Sequence, residues 1–271
     1  MKNVRINFGK IFVDSGIFHN IFHEIIDELI EGGDKYKYVD SYKSTWVFAD
    51  YKKTEMSVFG RLVKFYKEKD VKPMLDGIHL KIEKIEKERV AVSHFYIEKR
   101  KRVIAFERPL RISTAGFIRG FKGIINKLGE RKYEIDIVPF KQEDSVLENI
   151  IKFEKITRFN IGVKFPNPGL LEEEHKRIEN FLRDFNATEG RLDLLNKAAG
   201  LEIDDDLKTE AAYITSSGYG NITVEGESDG EKSKFDARTA VLSAIITELN
   251  LDDLDKVKSE LAKLIARRLG D

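Results

Sequence analysis

The strongest chemical signal in the sequence is the positive charge between Lys99 and Lys132. This segment holds eleven Lys or Arg residues against two acids, Glu107 and Glu130, a local net charge of +9. Lys and Arg side chains in such numbers neutralise the phosphates of nucleic acids. The candidate nucleic-acid contacts are Lys99, Arg100, Lys101, Arg102, Arg119 and Lys122.

The first four candidates fall at the turn of a predicted β-hairpin. His94–Ile97 and Val103–Phe106 are short runs rich in aromatic and β-branched residues, which is typical of paired strands. We therefore expect the charged stretch between them, 99–102, to be exposed to water. It is either a solvated tip that discourages edge-to-edge aggregation, or a basic finger that contacts phosphates.

The other two candidates lie on a predicted helix over 114–128. Its apolar residues fall on one arc of about 120° when placed at 100° per residue. Gly116, Gly120 and Gly123 cluster on a neighbouring arc, beyond which lie Arg119 and Lys122. Because each interior glycine costs about 1 kcal/mol of helix stability, three together indicate that something approaches the backbone closely. That neighbour is another helix or a strand, or a nucleic-acid backbone.

Other residue types that could do chemistry give weaker patterns. His19 and His23 stand one helical turn apart, a spacing that can hold a metal, but on the polar face of an amphipathic helix. Glu134 and Asp136 alternate on a predicted strand ahead of Lys141, as in a metal-dependent nuclease, but Pro139 interrupts the arrangement.

The sequence lacks the common phosphate-binding and catalytic motifs. There is no Walker loop, no dinucleotide fingerprint and no evident Ser/His/Asp set. The triple acid at 204–206 lacks the spaced ligands of a calcium loop. We predict no catalytic residue, no metal site and no cofactor.

Composition bounds the class of protein. The 271 residues are 41% hydrophobic, enough for one large domain or two smaller ones. No apolar run approaches the roughly 20 residues of a membrane span, and there is no cysteine, so we predict a cytoplasmic protein without a membrane partner. Residues 1–168 carry 33 basic and 24 acidic residues, and the remainder 14 and 23. Such asymmetry suits nucleic acid, a protein partner or a homo-oligomer.

The order of elements predicts an α+β fold. We expect mixed or antiparallel sheets with helices, in two ferredoxin-like halves that share an interface, 1–145 and 146–271. The predicted sheet members are 4–13, 90–97, 102–107, 133–139 and 157–165. A helix is predicted over 252–269, and another over 189–199. Residues 67–77 are expected to form a charged connection, and 209–215 a strand.

Three segments resemble an uncharacterised bacterial family known only as a conserved domain of unknown function. They are TRFNIGVKFPNP (157–168), GRLVKF (60–65) and HFYIEKRKRVIAFE (94–107). The resemblance covers most of the chain and implies a context of phage defence, but no catalytic residues.

The leading hypothesis is therefore a non-catalytic nucleic-acid-binding protein, a component of a bacterial antiviral defence system. A protein–protein or self-assembling module is the second hypothesis, and a metal-dependent nuclease is the third.

Overall fold

The computed structural model describes residues 2–14, 37–76, 79–128, 134–164, 177–184, 187 and 189–269. Within them the chain alternates between strands and helices. The strands are β1 (Lys2–Asp14), β2 (Tyr38–Val39), β3 (Thr45–Lys53), β4 (Ser57–Asp76), β5 (His79–Glu98), β6 (Val103–Glu107), β7 (Glu134–Pro139), β8 (Lys155–Lys164), β9 (Glu189–Leu195), β10 (Gly220–Ser228), β11 (Glu231–Asp236) and β12 (Ser243–Leu249). The helices are α1 (Thr114–Leu128), α2 (Glu143–Ile151), α3 (Arg177–Asp184), α4 (Asp205–Ser216), α5 (Leu254–Leu269) and a 3-10 turn at Ala237–Thr239.

The strands form two antiparallel sheets. The first has the order β12-β1-β6-β5-β4-β3-β2, with β7 also paired to β1, and the second has the order β11-β10-β8-β9. The α+β prediction is thus confirmed, and the strand pairs among the described residues are antiparallel rather than mixed.

Strand β1 organises the first sheet. Its residues 6–10 pair with β6, while 2–7 pair with β12 and 9–14 pair with β7. Strands β12 and β7 therefore lie end to end along the edge of β1 opposite β6. The end of β7 meets the start of β12 there, and we call this place the β7–β12 junction.

Helices cover both faces of the first sheet. Phe117 and Phe121 of α1 are fully buried against Phe95 and Phe106 on one face. On the other face, α5 packs on β5 and β6, in an apolar cluster that also contains alternate residues of β1. The second sheet packs on α2 and α4, and its core includes Ile161, Ile214 and Val224.

The five predicted sheet members are strands, and the predicted terminal helix is α5. Both β12 and α5 lie beyond residue 146 yet pack with the first sheet, so that sheet and its cover contain elements from both predicted halves. No helix among the described residues is both long enough and apolar enough to cross a membrane.

The connection predicted over 67–77 is wrong, because β4 continues through Asp76 and pairs with β5 as a long ribbon. From Tyr66 outward the ribbon has no third strand among the described residues. A two-stranded ribbon buries little on either face, so its strands can carry charges such as the Lys67–Glu86 pair at 3.4 Å. Pro73 is tolerated because each strand of the ribbon is an edge strand.

Two other elements were also predicted wrongly. The segment expected as a helix over 189–199 contains strand β9, in which Leu192 and Leu194 pack inward between exposed neighbours. The segment expected as a strand over 209–215 lies within α4. There the carboxylate of Asp204 accepts a hydrogen bond from the Leu207 N–H at 2.6 Å and begins the helix.

Candidate nucleic-acid interface

A groove of about 900 Å³ runs along one flank of α1, above the junction between β7 and β12. Its lining contains six basic side chains and no carboxylate. We call it the basic groove, lined by Arg5, Asn7, Tyr38, Arg108, Ser113, Thr114, Ala115, Ile118, Arg119, Lys122, Gly123, Asn126, Pro139, Lys141, Arg238, Val241 and Ser243.

The helical wall of the groove follows from the amphipathic pattern of α1. Ala115, Ile118, Lys122 and Asn126 recur at intervals of three or four residues, so they share one flank of the helix. The aromatic face of α1 is packed against the sheet and fixes that flank toward the groove. From Ala115 to Asn126 the wall is about 16 Å long, at 1.5 Å per residue.

The glycine stripe of α1 contacts aromatic side chains of the first sheet. A Cβ atom at Gly120 would overlap the Trp46 ring, and one at Gly123 would overlap the Tyr38 ring. The close approach expected from the sequence is therefore confirmed, and its cause is protein packing. The glycines allow β2 and β3 to lie against α1 beside the basic groove.

Arg119 is held at the groove wall by a buried carboxylate. Asp40 accepts hydrogen bonds from the Tyr42 and Ser44 N–H groups and from Trp46 Nε1, each at 2.9 Å. Burial alone would raise the pKa of Asp40, but these bonds and the nearby Arg119 charge hold that pKa below its usual value. Arg119 Nε lies 3.5 Å from Asp40 Oδ2, and its guanidinium stacks 4.7 Å above the Tyr42 ring centroid.

Two more groove cations have carboxylate partners. Lys122 Nζ lies 2.7 Å from Asp136 Oδ1, while Lys164 Nζ approaches the other oxygen of Asp136 at 3.5 Å. Arg238 Nε contacts both oxygens of Asp236, at 2.9 and 3.0 Å. Such pairs fix the position of each cation and still leave donors for a ligand, particularly on the five-donor guanidinium of Arg238.

The remaining three cations lack carboxylate partners in the part of the chain that the structure describes. Arg5 and Arg108 are exposed, and their backbones are joined by a 2.8 Å hydrogen bond from the Arg108 N–H to the Arg5 carbonyl. Lys141 is only 2% exposed although it lines the groove. These three side chains supply the unneutralised positive charge.

The predicted hairpin tip forms a separate basic site. The turn at 99–102 joins β5 to β6 as expected, and Arg100 and Lys101 are exposed. The expectation of exposure was wrong for Lys99, which is 1% exposed because its ammonium donates to the Thr54 carbonyl at 2.8 Å. Arg102 is half-buried, with φ of 52°, and loss of hydration lowers its pKa.

The tip lies far along β1 from the end of the groove that Arg5 and Arg108 line. The Arg102 carbonyl accepts from the Ile11 N–H, whereas Arg108 is bonded to Arg5. Those two β1 positions are about 20 Å apart, at ~3.4 Å per residue. The structure therefore brings Arg119 and Lys122 into the basic groove and leaves 99–102 at the other end of the strand.

The weaker chemical candidates have structural roles or fall outside the described residues. His19 and His23 lie outside them. Asp136 is engaged by two lysines, and Asp204 caps α4. No group of three or more potential metal ligands occurs among the described residues.

Sequence reasoning missed four of the six groove cations as nucleic-acid contacts: Arg5, Arg108, Lys141 and Arg238. One signal was present, since Arg5 and Asn7 alternate on β1 and must share a face. No local pattern could place Arg238 beside them, because that depends on the pairing of β12 with β1.

A family model described as "Domain of unknown function (DUF4747)" matches residues 18–261. No curated protein matches the chain.

Proposed function

Since the chain belongs to the family of the domain of unknown function DUF4747, its function has to be argued from its own residues, and we propose that it is a non-catalytic nucleic-acid-binding protein. The basic groove holds successive phosphates of a strand. A role in a bacterial antiviral defence system, which the family resemblance implies, stays a prediction.

The observation that supports this proposal is the lining of the groove by six cations and no carboxylate. The charge is unevenly compensated, because Arg5 and Arg108 have no acidic partner among the described residues, and Lys141 forms no ion pair within 4.0 Å there although the Asp236 charge acts on it. A concave surface with excess charge of one sign concentrates counterions of the other sign. Phosphate groups are the anions that such Arg and Lys clusters bind most often in nucleic-acid complexes.

The extent of the groove favours a polyanion over a small anion. Its cations come from separate elements, with Arg119 and Lys122 on α1 and the other four on β1 and on the segments that follow β6, β7 and β11. Polar side chains that can donate to sugar or phosphate oxygens stand among them, including Asn7, Ser113, Thr114 and Asn126. Such contacts position a strand without reading its sequence.

The first test replaces the two exposed, unpaired arginines of the groove by glutamate. We expect Arg5→Glu with Arg108→Glu to weaken binding of unstructured DNA or RNA roughly tenfold. It should also flatten the slope of log K against log salt by about one to two units. Each phosphate contact that is lost removes the counterion release that this contact would have caused on binding. Fluorescence anisotropy titrations across salt concentrations measure both quantities.

The hairpin tip supplies a matched control with the same change of charge. Arg100→Glu with Lys101→Glu should leave affinity and slope close to the wild-type values, because these residues lie at the opposite end of β1. If the hairpin variant loses binding and the groove variant does not, the groove is the wrong site. If the wild-type protein binds neither polymer at low salt, the nucleic-acid function is wrong.

The other two hypotheses from the sequence stay predictions. Size-exclusion chromatography across salt concentrations tests self-assembly, which would weaken as salt rises. Incubation of nucleic acid with Mg²⁺ or Mn²⁺, against a chelator control, tests nuclease activity.

A further inference from the structure

The inner end of the basic groove is built around the buried side chain of Lys141. Pro139 pairs with Gly9, and Ser243 pairs with Asn7 on the same edge of β1. Lys141 lies between these two pairings, where it forms a bridge with Val241. The junction between β7 and β12 thus carries the lysine from the sheet edge into the groove, at 2% exposure.

The ammonium of Lys141 lacks a bonded partner. Among the described residues it forms no hydrogen bond and no ion pair within 4.0 Å. The charges that act on it are Asp236 and Arg238, and the Asp236 carboxylate is already bound by Arg238. Burial lowers the pKa of Lys141 to about 8; the Asp236 charge opposes this shift and the Arg238 charge adds to it. A buried ammonium without a partner is costly unless an anion joins it.

The start of α1 adds donors to the same end. Asn7, a neighbour of the junction, donates from Nδ2 to Thr114 Oγ1 at 2.6 Å. Ser113 Oγ accepts from the Gly116 N–H at 3.0 Å, which caps that amide. The N–H groups of Thr114 and Ala115 have no acceptor among the described residues. Free amides at a helix N-terminus bind phosphate oxygens.

On the basis of the nucleic-acid function proposed above, we propose that this inner end binds the terminal phosphomonoester of a nucleic-acid strand. A terminal phosphate has a chain on one side only, so it can enter the buried end of the groove. An internal diester has a strand on both sides, so it fits less closely against a lysine that is only 2% exposed. The terminal group also has close to two negative charges at pH 7, against one for a diester, and so matches a buried lysine together with helix amides.

The experiment compares one short single strand in three chemical forms, each with the same internal fluorophore. The forms carry a 5′-phosphate, a 3′-phosphate or hydroxyl groups at both ends. We expect one phosphorylated form to bind the wild-type protein roughly tenfold more tightly than the hydroxyl form, because it gains charge-assisted hydrogen bonds. Adenosine monophosphate, used as a competitor, tests whether a free mononucleotide is enough.

Lys141→Met should remove this preference, so that the variant binds the three forms with affinities within about twofold of one another, because internal phosphates contact the outer cations. Methionine keeps the length of the side chain and suits a buried site, and circular dichroism confirms that the variant is folded. Arg108→Gln is the matched control, and should weaken the three forms by a similar factor.

The outcomes separate this inference from the proposed function. If the three forms bind wild-type protein equally, with salt dependence, the terminal-phosphate site is wrong and the nucleic-acid function stands. A preference that persists in Lys141→Met overturns the role of Lys141. If adenosine monophosphate competes with an affinity equal to that of the phosphorylated strand, the site binds a mononucleotide and the assignment to a strand end is wrong. If no strand binds, both proposals are wrong.

Discussion

Lys10 and Lys141 both have pKa values lowered to about 8, and burial is the main cause for each. They serve different surfaces of the molecule. Lys10 lies on the face of β1 opposite Arg5 and Asn7, where its ammonium donates to the Lys101 carbonyl at 2.9 Å and Arg102 adds to the shift. Lys141 has no such bond and lines the basic groove. Only the second lysine can therefore change its protonation in direct contact with a bound anion.

We predict that the affinity for a phosphorylated strand end falls as pH rises through about 8. The free Lys141 ammonium loses its proton there, and the neutral amine cannot pair with phosphate. Of the charges that act on it, Asp236 has its pKa lowered to about 2 by hydrogen bonds from Arg238, and Arg238 has its pKa raised, so both stay ionised in this range. Below about pH 6 the phosphate gains a proton, so affinity should decline there too.

Anisotropy titrations from about pH 5.5 to about pH 9.5, a range that spans those two ionisations, measure this profile. Lys141→Met, which should no longer distinguish the phosphorylated strand from the hydroxyl form, should lose both declines. A wild-type affinity that is constant from about pH 7 to pH 9.5 would contradict the assignment of Lys141 to the phosphate.

At the scale of elements, the glycines of α1 determine how β2 and β3 approach the helix. We predict that Gly120→Ala destabilises the fold by about 1–3 kcal/mol, because the new Cβ would overlap the Trp46 ring. This outcome opposes helix propensity, which favours alanine by about 1 kcal/mol. Gly162→Ala in β8 is the control, since its Cβ would meet no atom within 4 Å. Urea unfolding of the two variants measures the difference, and a Gly120→Ala protein as stable as wild type would contradict this packing.

Helix α1 and its neighbours were predictable from sequence because each contains a strong and consistent pattern. The apolar arc of α1 and the aromatic runs of β5 and β6 agree with the local turn signals. By contrast, α4 contains Ala211, Ala212, Tyr213 and Ile214, an apolar run that fits a buried strand as well as a buried helix. The N-cap at Asp204 is the feature that distinguishes a helix from a strand here. In the sequence, Asp204 is one of three consecutive aspartates, and nothing local marks it as the cap.

At the scale of the whole molecule, the basic groove depends on contacts between residues far apart in sequence. Arg5 and Arg238 line the same groove because β1 is bordered by both β7 and β12. The predicted charge run between Lys99 and Lys132 contributes Arg108, Arg119 and Lys122, and its hairpin tip points elsewhere. The charge-rich segment therefore contains half of the groove cations, of which the sequence singled out Arg119 and Lys122, and topology determines the rest.

The face of the first sheet opposite the groove depends on α5. Val257, Leu261 and Ile265 are nearly inaccessible there, and they cover Val4 and Phe8 of β1. We predict that Leu261→Ala costs about 2–5 kcal/mol, through lost burial and the cavity that remains. Lys256→Ala on the exposed side of α5 should change stability by less than about 0.5 kcal/mol.

Truncation after Asn250 removes the whole of α5, so the exposed apolar face should cause aggregation or a clear loss of thermal stability. Thermal melts and size-exclusion chromatography measure these effects. A truncated protein that stays monomeric and melts at the wild-type temperature would show that α5 does not hold β1 in place, and the groove on the other side of that strand would then be independent of it.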